Sequence, residues 1–78
     1  MNDYTVIRTK GDKTRYFPQS DYRSARRFMG TSINVAEFFG YTVTDRTGDA
    51  TTMRNADGTT LIYAVVPGRP AELVAHRA

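Results

Sequence analysis

One amphipathic segment, Ser20-Asp21-Tyr22-Arg23-Ser24-Ala25-Arg26-Arg27-Phe28-Met29-Gly30, interrupts a chain that otherwise reads as strands and turns. At about 100° per residue, Tyr22, Ala25, Phe28 and Met29 fall in one broad sector, and Arg23, Arg26 and Arg27 gather in the sector beside it. A lone amphipathic helix must bury its apolar stripe against something, and here the available partner is a sheet. Ser20 is expected as the N-cap, Asp21 complements the helix dipole, and Gly30 suits the C′ position. Thr31 or Ser32 can then cap a second, shorter turn through Ile33-Asn34-Val35-Ala36-Glu37-Phe38-Phe39. That segment is apolar nearly all round and is expected to be buried, as a helix extension or as a turn under the sheet.

The strands follow from composition and period. Tyr4 to Thr9 is β-branched and aromatic, as a pleated surface favours. Gly11-Asp12 signals a tight turn, and Thr14 to Phe17 reads as a second strand that Pro18 should end. Tyr41 to Arg46 alternates with period two, with Tyr41 and Val43 on one face and the threonines and Arg46 on the other. Gly48-Asp49 marks a turn, and Thr51 to Arg54 reads as a further strand. Asp57-Gly58 marks the next turn, before Thr59 to Val66, which is apolar on both faces as a central strand would be. Pro67 should stop it.

The expected architecture is α+β: a five-stranded antiparallel sheet with one main helix on one face, in the order β-β-α-β-β-β, with a short second helix. Tyr4, Val6, Tyr16, Val43, Leu61, Tyr63 and Val65 are expected on one sheet face. Residues 1–67 form a single domain. Residues 68–78 form a C-terminal tail that can start a helix at Pro70, docked through Leu73 and Val74 or frayed.

Seventy-eight residues without cysteine leave no disulfide or thiolate metal site to supplement a small core. The absence of cysteine suits a cytoplasmic setting. No apolar run is long enough to span a bilayer, and no secretory signal is expected at Met1-Asn2-Asp3-Tyr4. The single histidine, His76, lies near the end of the chain, where no base for nucleophilic catalysis is expected. Asp12, Asp45, Asp49 and Asp57 sit at or near turns, which favour aspartate for its bonds to nearby amides. No phosphate-binding glycine motif or EF-hand loop is present. The expectation is a non-enzyme with no cofactor and no metal.

Binding chemistry is more legible. The net charge is +3, with nine arginines against two lysines. Arg23, Arg26 and Arg27, with Arg15 and Lys13 from the preceding hairpin, form the leading partner-binding cluster, because guanidinium groups recognise phosphates and carboxylates. The plain alternative is a solvated helix face. Val35 to Tyr41 carries an Ala-x-x-x-Gly spacing shared with helix-turn-helix motifs, but the threonine-rich segment after it favours a strand over a recognition helix. Tyr4, Tyr16, Tyr41 and Tyr63 could stack bases, or pack between sheet and helix. Thr42, Thr44, Thr51, Thr52, Thr59 and Thr60 suggest a threonine-rich solvent face.

Through Ser24-Ala25-Arg26-Arg27 on the helix and a three-strand meander ending in Leu61-Ile62-Tyr63-Ala64, the chain resembles small accessory proteins of phages and plasmids, including type I anti-CRISPR proteins. The resemblance implies a non-enzymatic inhibitor that docks basic side chains, here the helix arginines, on a host nucleoprotein complex in the cytosol. Two functions are therefore expected to compete. One is docking on a protein partner or nucleoprotein complex, and the other is direct DNA or RNA binding.

Overall fold

The computed structural model describes residues 3–68. Five strands, β1 (Tyr4–Lys10), β2 (Lys13–Gln19), β3 (Thr42–Thr47), β4 (Ala50–Arg54) and β5 (Thr60–Pro67), and one helix, α1 (Tyr22–Phe38), make the expected α+β fold. The sheet is antiparallel with strand order β2-β1-β5-β4-β3. The most apolar segment, β5, therefore lies at the centre, as its two-faced composition requires. The helix leaves one edge strand, crosses a single face, and delivers the chain to the opposite edge.

The β1–β2 and β3–β4 hairpins each turn on Gly-Asp, and Gly11 and Gly48 take φ values of +61° and +56°. A glycine at the first central position is what a type II′ turn needs to match strand twist. The next connection is held by side chains: the Asn55 carboxamide oxygen accepts from the Asp57 and Thr59 amides at 3.2 and 3.0 Å.

Six sequence expectations change, four of them in the helix and strand boundaries. Helix α1 runs unbroken through Gly30 to Phe38, so the two expected helices are one. Gly30 has no positive φ and nothing near the place of a Cβ, so it serves as an ordinary helical residue. Asp21, not Ser20, is the N-cap, with its carboxylate accepting from the Ser24 amide at 2.7 Å. Pro18 does not end β2 but lies within it, opposite Thr5. An edge strand tolerates the missing N–H.

Tyr16 also changes sides. It pairs with Ile7, whereas Val6 pairs with Phe17, so Tyr16 lies on the face away from the helix. An irregularity between Val43 and Asp45 shifts the β3 register and sets Arg46 opposite Thr51. Thr51 is buried among the core positions rather than on a solvent-facing threonine surface.

The core joins Ala25, Met29, Ile33 and Ala36 of the helix to Val6, Met53, Leu61, Tyr63 and Val65 of the sheet. Tyr4, Phe17, Phe28, Tyr41 and Val43 close its margins. The helix sector expected to face the sheet does so through Ala25 and Met29. It extends one and two further turns to Ile33 and Ala36. Leu73, Val74, His76 and the expected tail helix lie outside the described residues.

Candidate binding surface

The two ends of the helix carry different chemistry. At its N-terminal end Asp21, Arg26 and Asp49 find partners within the fold. Asp49, in the β3–β4 turn, accepts the Tyr22 hydroxyl at 2.5 Å and the Arg26 guanidinium at 3.3 Å. The hydrogen bond to Asp49 raises the Tyr22 phenol above its ordinary pKa. Bonds from the Ser24 amide and then the Ser24 hydroxyl lower the Asp21 carboxyl. The Tyr22 ring meets Tyr4 edge-on at 5.3 Å, which seals this end of the core. Arg23 and Arg27 remain exposed on the outward side. The arginine sector is thus split, with Arg26 engaged and Arg23 and Arg27 presented to solvent.

Lys13 and Arg15 belong to another grouping. In the β1–β2 register Arg8 faces Arg15 and Lys10 faces Lys13. Strand alternation puts all four on the helix-covered side of the sheet, since Val6, two residues before Arg8, is in the core beneath α1. Two like-charged pairs directly opposite each other are destabilising in a β-ladder. Among the described residues the one ion pair is Arg26–Asp49, so none of the four hairpin cations has a carboxylate in ion-pairing range. Asp57 is the acid whose pKa registers Lys10, as the last of several influences. Bonds from the Thr59 hydroxyl and then the Thr59 amide do most to lower it.

This basic end of the hairpin meets the C-terminal end of the helix. Phe38 is 85 % exposed, Phe39 71 % and Val35 51 %. The rings of Phe38 and Phe39 meet edge-on at 5.5 Å. Between the helix and the hairpin lies a cleft of about 430 Å³, which both Arg8 and Lys10 line. Its apolar walls include Phe17 and Phe28, whose rings lie 5.0 Å apart, together with Val35, Phe39, Leu61 and Tyr63. Arg27 lies twelve residues before Phe39, about 18 Å along the axis at helical rise. Arg27 lines a separate hollow with Gln19, at the end of β2 away from Lys13, while its neighbour Phe28 lines the cleft with Arg8 and Lys10.

Arg8, Lys10, Phe38 and Phe39 were outside the sequence-derived cluster. Phe38 and Phe39 read as core because their segment is apolar nearly all round. The helix buries Ala36 instead, Phe38 is turned about 200° from it to the outer face, and Phe39 borders the cleft beside Leu61 and Tyr63. The cation pairs had a usable signal: Lys10/Lys13 and Arg8/Arg15 are symmetric about Gly11-Asp12. A two-residue hairpin turn there places each residue opposite its mirror position.

The tyrosines do not make a common stacking platform. Tyr63 is buried, Tyr4 and Tyr41 flank the core, and Tyr16 is on the opposite face. The segment expected to compete as a recognition helix, from Thr42, is strand β3. Among the described residues no group of His, Cys, Asp or Glu side chains could hold a metal ion, and no helix is long and apolar enough to cross a membrane. Fold and site together define a small α+β protein with an open sheet and a basic, aromatic surface at one end. Compared with protein-family models, with curated proteins and with solved structures, the chain gives no match in any of the three.

Proposed function

We propose that this chain is a non-enzymatic binding protein that docks its basic, aromatic end on an acidic protein surface. The observation that carries this reading is the largely exposed Phe38–Phe39 pair, of which Phe39 lines one cleft with Arg8 and Lys10, each of these facing a like charge across the hairpin. Exposed aromatics of this size mark interaction sites when they cluster. Burying a phenylalanine contributes about 1.5–3 kcal/mol, whereas surface cations mainly supply orientation and rate. A short basic patch beside apolar side chains suits a partner that offers both carboxylates and an apolar segment. A duplex would be served better by a longer positive strip, whereas a single strand would stack its bases on such phenylalanines. The inhibitor role implied by the likeness to anti-CRISPR proteins is compatible with this surface, and it rests on that likeness alone.

Two defined probes separate the readings: a Glu/Leu-alternating peptide and a DNA duplex of equal charge. Protein docking predicts that the peptide binds more tightly than the duplex and more tightly than a poly-Glu peptide of the same length. Tighter binding to the duplex, with a log–log salt slope near −3.6 for about four phosphates, would instead establish the nucleic-acid alternative.

A further inference from the structure

Arg8 is a half-buried arginine whose hydrogen-bonding capacity the fold does not use. Its Nε is the one buried side-chain nitrogen or oxygen among the described residues without a hydrogen-bond partner. Guanidinium groups in such positions are normally matched by carboxylates or carbonyls, because a buried donor left unmade is costly. Here Arg8 faces Arg15 on one neighbouring strand and Tyr63 on the other. Neither supplies an acidic acceptor. The side chain instead borders a cleft whose walls are mainly Phe17, Phe28, Val35, Leu61 and Tyr63.

The geometry points to a binding site for a small amphipathic carboxylate, with its apolar body in this cleft and its head on Arg8. A volume of about 430 Å³ falls within the range of small-molecule sites, which are apolar with a few placed polar groups. Because Nε is itself closed to solvent, the carboxylate head meets the terminal guanidinium nitrogens, whose N–H donors match its two oxygens. Lys10, which also lines the cleft, adds positive potential that attracts an anion and disfavours a cation. The cleft shares Arg8, Lys10 and Phe39 with the docking surface, whereas Phe38, Lys13 and Arg15 do not line it, so Ser32→Phe is expected to abolish decanoate binding and Phe38→Ser to weaken peptide binding, each without the other.

Sodium decanoate, below its micelle-forming concentration, is the direct probe, followed by backbone amide shifts in NMR spectra of the full chain. Saturable shifts are expected at Phe28, Val35 and Leu61. Decanol and decylamine should bind at least about tenfold more weakly, since a hydrogen bond to a charged group is worth that much or more. Arg8→Gln should weaken decanoate binding by a similar factor while leaving decanol unchanged. Ser32→Phe, at a half-buried wall position, should block the cleft with the fold intact by circular dichroism, which guards against a misfolded Arg8 variant. Equal binding of decanol and decanoate, tighter binding of decyl phosphate, shifts centred elsewhere, or no saturation at millimolar probe would each overturn the proposal.

Discussion

Each end of helix α1 brings aromatic and basic side chains together, the basic ones coming from the helix itself at its N-terminal end and from the β1–β2 hairpin at its C-terminal end, and the two ends behave in opposite ways. At the N-terminal end, Tyr22 packs on Tyr4, Arg26 finds Asp49, and Asp21 caps the first turn. At the C-terminal end, Phe38 and Phe39 stand in solvent, and the hairpin cations facing the cleft have no acidic partner among the described residues. A closed end shows what this sequence can do when only stability is at stake. The open end departs from that pattern in both its aromatics and its charges. Such departures from local consistency mark functional surfaces.

The comparison breaks first on stability. Ile33→Ala removes a buried side chain and should cost about 2–4 kcal/mol in chemical denaturation, whereas Phe38→Ala should change stability by less than about 0.5 kcal/mol. A large loss from Phe38→Ala would mean that the aromatic is structural after all. Next in size, Gly30→Ala should stabilise the protein by about 1 kcal/mol, because the position is helical with room for a Cβ. A loss of stability would restore a break in the helix there. Lys13→Glu should add a few tenths of a kcal/mol by relieving the Lys10–Lys13 pair, while weakening binding to an acidic peptide. Neutral stability together with stronger peptide binding would count against the charge argument.

Acid should act on the closed end through Asp21 and on the β4–β5 connection through Asp57. The bonds that each accepts hold both carboxyls below the ordinary aspartate value of 3.8. Their contributions are therefore present above that pH and fade as pH falls through and below it. The protection of the Ser24 amide relative to its intrinsic exchange rate should fall in that window, and Asp21→Ala should remove this pH dependence along with roughly 5 °C of thermal stability. A Ser24 protection factor that stays constant down to pH 2 would show that the cap is not formed.

The sequence made the class of fold legible because local signals agreed: Gly-Asp turns, period-two strands, and one apolar helix stripe. It misread the places where tertiary context overrides such signals. Gly30 reads as a stop, yet Ile33 and Ala36 continue the stripe of Ala25 and Met29, and their burial holds the helix past it. Pro18 reads as an end, but β2 is an edge where its missing donor is harmless. Of the candidate site, Lys13 and Arg15 were visible, while Arg8 and Lys10 required the hairpin register. Phe38 and Phe39 were hidden by their own hydrophobicity, since only the continuation of the buried stripe to Ala36 turns Phe38 to the outer face.

The central claim is that the open end, rather than the helix arginines, is the docking surface. The most direct test measures the affinity of the Glu/Leu peptide for the unmodified chain, for Phe38→Ser/Phe39→Ser, and for Arg23→Ala/Arg27→Ala. The account predicts at least about a tenfold loss in the phenylalanine variant and less than about a threefold loss in the arginine variant. The reverse order would move the docking surface to the N-terminal half of the helix and contradict the account.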